Sequence, residues 1–126
     1  MDWEIANDIK DRIELILKSG QFPHVNFTNI YAVRGYGSTS RAIARIWSFP
    51  RVWQLVLKLP ASYIIEIIPK KFDKLNKQEQ DKVLIHELMH IQKSFYGSLV
   101  PHRNRGRHIN HKTVEELYKK VLATSY

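Results

Sequence analysis

Val83-Leu84-Ile85-His86-Glu87-Leu88-Met89-His90-Ile91 is polar only at His86, Glu87 and His90. An α-helix turns about 100° per residue, so residues four apart stand nearly above one another. His86 and His90 can therefore grip one ion from one side of a helix. With Leu84 at zero on the helical wheel, Leu88, Ile91 and Phe95 fall within about 40°, and the two histidines lie at roughly 200–240°. The first set is a core stripe, and the titratable groups face elsewhere. Burying such groups without a partner costs several kcal/mol. A metal ion satisfies them together.

The same spacing assigns chemistry. Glu87 is rotated away from the histidine pair and need not ligate. It can take a proton from water acidified by the metal and return it to a leaving amine. A catalytic zinc takes three protein ligands and keeps one position open. The expected third ligand is His102, whose approach Pro101 stiffens. His108, His111 and Glu115 remain alternatives, and Glu116 is a further downstream candidate. His24 reads as a surface or packing residue.

The rest of the chain frames that helix. Asn76, with Glu79 three residues on, resembles a capping box, and the helix should end near Gly97. Ser62 to Ile68, bounded by Pro60 and Pro69, is β-branched and aromatic and reads as a strand. Its one charge, Glu66, suits an edge strand with a wet face. Asn29 to Val33 and Arg41 to Trp47 read as two strands of a hairpin, with the turn-rich segment 34–39 between them. Residues 2–19 read as one amphipathic helix capped by Asp2 and stopped at Gly20. Residues 50–58 fit a helix or a strand. A final helix is expected over 112–123.

The 126 residues suit one domain, with 44% hydrophobic and 25% charged residues, an ordinary globular balance. There is no cysteine, so any metal must be held by His, Asp or Glu. No apolar run approaches membrane-span length and the acidic start is unlike a secretory signal, so a cytoplasmic protein without a membrane partner is expected. The net charge of +8 admits nucleic acid as a partner.

Gly37-Ser38-Thr39-Ser40-Arg41-Ala42, Ala44-Arg45-Ile46-Trp47, Tyr63-Ile64-Ile65-Glu66-Ile67 and Phe72-Asp73-Lys74-Leu75 precede the helix. Phe95-Tyr96-Gly97, Pro101-His102 and Val114-Glu115-Glu116-Leu117-Tyr118 follow it. Together with His86-Glu87-Leu88-Met89-His90 they resemble the zincin metallopeptidases, specifically a group of small archaeal and phage metallopeptidases. The resemblance implies an α+β, zincin-like domain spanning the chain. It has a short twisted sheet packed on an active-site helix and a second, C-terminal helix. It also implies a Zn2+ cofactor, a peptide or protein substrate, and an edge strand that pairs with substrate, a place that Tyr63 to Ile68 fits.

Two departures matter. The metzincin spacing would put a third histidine at Tyr96, and no thermolysin-like Asn-Glu motif is present. The chain is also similar to SprT-like proteases acting on DNA-bound proteins, which would favour His108 or His111. The rival readings are a basic nucleic-acid module and a degenerate zincin that only binds partners. Arg103, Arg105 and Arg107, with Lys112, form a basic cluster. Arg34, Tyr36 and Arg41 could stabilise an oxyanion if their loop overhangs the metal. Trp47 and Trp53 are expected to pack in the core.

Overall fold

The computed structural model describes residues 2–95, 97–104 and 107–125. Strand β1 (Asp2–Ile5) leads into helix α1 (Asn7–Leu17), then β2 (Ile30–Tyr36), β3 (Ala44–Ser48) and α2 (Arg51–Leu57). Strand β4 (Tyr63–Ile67), the one-turn helix α3 (Pro69–Phe72) and α4 (Lys77–Met89) follow. A small ribbon, β5 (Arg103–Asn104) with β6 (Arg107–His108), precedes α5 (His111–Ser125). The four-stranded sheet has the order β1-β2-β4-β3, with β2 and β4 parallel and the outer pairs antiparallel. The class is α+β, as the sequence reading expects.

The order of the sheet corrects two expectations. β2 and β3 do not form a hairpin, because β4 lies between them. And β4 is a central strand, not an edge. Its residues Tyr63, Ile65, Ile67 and even Glu66 are buried. Only Ile64, on the face away from the helices, is exposed, so the nearly continuous apolar run suits a strand flanked on both sides. The true edge beside α4 is β3, whose pairing with β4 runs from Ala44↔Ile67 to Ser48↔Tyr63.

Glu66 avoids a wet face by finding partners within the sheet. Arg45 Nε donates to it at 2.8 Å and Trp47 Nε1 at 2.8 Å. Burial works to raise its pKa, but these donors outweigh burial and hold it below the usual carboxylate range. Gly35 makes room for it: a Cβ there would lie 1.7 Å from Glu66 Oε2.

The N-terminal expectation also changes. Asp2–Ile5 pair with β2 from Asp2↔Tyr36 to Ile5↔Val33, and the helix begins only at Asn7. Asp2 therefore caps nothing. Ile5 alternates outward and is 75% exposed, whereas Ile9, Ile13 and Ile16 are buried as the helical spacing requires. An unpaired flank of β2 would expose a row of backbone donors and acceptors, which β1 satisfies.

Helices α1, α4 and α5 pack together beneath one face of the sheet. Residues 50–58 resolve as the helix α2, but its apolar side chains are exposed, Trp53 and Val56 among them. Trp47 is 44% exposed on the opposite face of the sheet. Neither tryptophan is a core residue. Trp47 stays tethered because its indole N–H is needed by Glu66. No described helix is long and apolar enough to cross a membrane.

Candidate metal centre

Asn76 starts α4 as expected, its side chain accepting from the Glu79 backbone N–H at 2.9 Å. Leu84, Leu88 and Ile91 are buried in the core. The helix stops at Met89 with His90 as its C-cap, earlier than the expected end near Gly97. That early stop lets the chain turn back. Phe95 (φ 49°) and Gly97 (φ 107°) adopt positive φ, and Ile91 then bridges antiparallel to Leu99. The Val100 N–H donates to the His90 carbonyl at 2.6 Å. The returning segment delivers His102 to the end of the helix.

Tyr63 anchors this return, a role that sequence reasoning missed. Its hydroxyl accepts from the Gly97 N–H at 3.0 Å and donates to the Ser98 carbonyl at 2.9 Å. From below, the Phe49 carbonyl and Gln54 are so close to Gly97 that a Cβ would meet each at 2.5 Å. The Gly97 signal was visible in the sequence, but the partner of a strand tyrosine 34 residues away was not.

The donor atoms of His86, His90 and His102 all lie within 4.8 Å of one another, and these three form the only such cluster among the described residues. Nε2 of His86 and Nε2 of His102 are 3.1 Å apart. Two imidazole nitrogens on one tetrahedral zinc, at ~2.0–2.1 Å each, lie about 3.3 Å apart. The spacing thus fits a shared ion. Nδ1 of His90 faces the Val100 carbonyl, to which only an N–H can donate. That leaves the Nε2 lone pair of His90 free for a metal, the arrangement that orients ligating histidines generally.

The alternatives are not in this cluster, although His111 lines the cleft beside His86 and Glu87. Glu115 is paired with Lys82 at 2.8 Å. His108 and His111 are exposed and outside the cluster. His24 is half-buried beside Phe22. Of the oxyanion candidates, Arg34 is held by both oxygens of Asp8 at 2.8 and 2.6 Å, and Tyr36 reaches Glu4. Arg41 alone borders the site, in a cleft it shares with His86 and Glu87. In the basic cluster, Arg105 and the side chains of Arg103 and Arg107 lie outside the described residues.

Glu87 is 7% exposed, and its carboxyl has no hydrogen-bond or ion-pair partner among the described residues. Burial raises its carboxyl from 4.5 to about 7. Burial, then the neighbouring His90 and His102, lowers His86 from 6.5 to about 4. The two groups have opposite pH signatures in metal-free protein. Between 4.5 and 7 the folded chain holds a proton on Glu87 that the unfolded chain releases, so stability from this group falls as pH rises. Between about 4 and 6.5 the unfolded chain protonates His86 and the folded chain does not, so stability from this group rises with pH.

Glu87→Gln removes only the first effect. In chelator-treated protein the variant's advantage over wild type is expected to grow from pH 4.5 to pH 7 and then level off, reaching up to about 3 kcal/mol. Urea unfolding at stepped pH measures it. An advantage that does not change with pH would contradict the buried, unpartnered carboxyl.

A family model described as "Putative phage metallopeptidase" matches residues 1–121. Comparisons with curated proteins and with solved structures give no match. With a match that spans nearly the whole chain and a histidine triad of metal-binding geometry within it, the protein belongs to this phage metallopeptidase family.

Proposed function

We propose that this protein hydrolyses peptide bonds using one zinc ion held by His86, His90 and His102, with Glu87 as general base. The observation that carries this reading is the convergence of three histidine nitrogens beside a buried, unpartnered carboxyl. Three nitrogen ligands without thiolate suit zinc by ligand type and geometry. Bound zinc supplies a Lewis acid that polarises the scissile carbonyl and acidifies water.

The chain's own residues do the remainder. Glu87 takes a proton from the attacking water, and its burial keeps its affinity for that proton near neutral pH. It then passes the proton to the departing amine. His90, fixed by Val100, holds its ring orientation through the cycle. Strand β3 is the sheet edge on the α4 side, and Ala44 at its start and Ile43 just before it line the cleft beside His86 and Glu87. Its free backbone groups suit an extended peptide, which gains affinity from main-chain pairing with little sequence selectivity.

The test is hydrolysis of a mixed peptide library by chelator-treated protein, before and after one equivalent of zinc. Cleavage restored by zinc is the expected result. Equal cleavage with and without metal, or none with zinc, manganese or cobalt, would overturn the reading.

A further inference from the structure

The cleft on the His86 side of the triad has a volume of about 460 Å3, enough for one or two peptide residues. Its walls are apolar: Ile43 just before β3, Ala44 at the start of β3, Val83 from α4 and Val114 from α5. Its charged groups are mostly spent on each other. Lys82 reaches Glu115 at 2.8 Å and Glu79 at 3.6 Å. Besides Glu87 and the exposed His111, the cleft is lined by Arg41, whose guanidinium has no hydrogen bond or ion pair among the described residues. Its backbone is held in place: Lys71 donates to the Ser40 carbonyl at 2.9 Å, and the Ser40 hydroxyl accepts from the Ala42 N–H at 3.1 Å.

We propose that this cleft is a substrate subsite for a carboxylate borne on an aliphatic stem, with Arg41 as its anion-binding residue. An apolar passage with one uncompensated guanidinium fits a group with methylenes along its length and a single negative charge at its tip. Arginine pairs with carboxylates through two parallel N–H donors, which gives direction as well as charge. Two substrates present this chemistry: a glutamate side chain beside the scissile bond, or a C-terminal aliphatic residue with its free α-carboxylate. The proposal rests on the peptidase reading for its meaning, but not for its measurement.

The probe is binding of four labelled hexapeptides to Glu87→Gln protein, with and without zinc, at 0.15 M salt. One pair carries central Glu or Gln with an amidated end. The other ends in Leu, as free acid or amide. The expected result is about tenfold tighter binding of the charged member in one pair, and which pair shows it identifies the source of the carboxylate. In an Arg41→Ala background the preference should fall below about twofold, and Arg41→Lys should recover part of it.

A preference that survives Arg41→Ala, no preference in either pair, or no binding up to millimolar peptide would each overturn the proposal. So would equal weakening of all four peptides by Arg41→Ala, the mark of a residue acting on the reacting carbonyl. If the Arg41-dependent preference holds while zinc-loaded wild type cleaves none of the four, the subsite stands and the peptidase reading falls.

Discussion

Glu87→Gln is expected to lower zinc-dependent peptide hydrolysis by about 10²–10⁴-fold while leaving zinc content at one per chain. The substitution keeps the shape of the side chain and removes only its ability to accept and return a proton. It lies one residue from His86 on α4 but outside the histidine cluster, so the ligand set is unchanged. The same replacement relieves a buried carboxyl, so the variant should be at least as stable as wild type above neutral pH. Loss of activity cannot then be ascribed to unfolding. Activity within threefold of wild type, at matched zinc content, would exclude Glu87 as the base.

Gly35→Ala is expected to be the most damaging small substitution in the sheet, costing about 3 kcal/mol or more. The added methyl would lie 1.7 Å from Glu66 Oε2, so the Glu66 side chain would have to leave its partners. Its side chain is fully buried and bound by Arg45 and Trp47. Moving it would leave a buried carboxylate and its donors without one another, and breaking a buried pair in this way is itself strongly destabilising. The double variant with Glu66→Ala should therefore cost clearly less than the sum of the two single changes. Urea unfolding of the four proteins in the cycle measures this. Strict additivity would mean that Gly35 and Glu66 do not compete for the same space.

The candidate site was largely legible because two of its histidines and its carboxyl are set by local geometry. Helical spacing alone puts His86 and His90 together and turns Leu84 and Leu88 inward. His102 was legible only as a preference, because its position depends on a reversal. That reversal needs positive φ at Phe95 and Gly97 and a hydroxyl from Tyr63, and neither follows from spacing.

The sheet order was less legible. A strand's sequence reveals burial better than it reveals its partner. Glu66 drew the reading of β4 toward an edge, although the apolar run around it argued for the centre. Asp2-Trp3-Glu4-Ile5 alternates with period two, as a strand should, but Ile5 also fell in register with Ile9 and Ile13, and the longer helical period hid the shorter one. Trp53 was expected in the core, and in the fold the apolar side chains of α2 stay exposed. Pattern registers that a face is apolar and carries no information about what covers it.

A zinc ion held by His86, His90 and His102 is measured by zinc stoichiometry at neutral pH. The proteins to compare are wild type, His102→Ala, His108→Ala, His111→Ala and Glu115→Ala. One tightly held zinc is expected in wild type and in the last three variants, and its loss or a fall in affinity of at least about a hundredfold in His102→Ala. Wild-type binding retained by His102→Ala, or zinc lost instead from the His108, His111 or Glu115 variant, would contradict this ligand set.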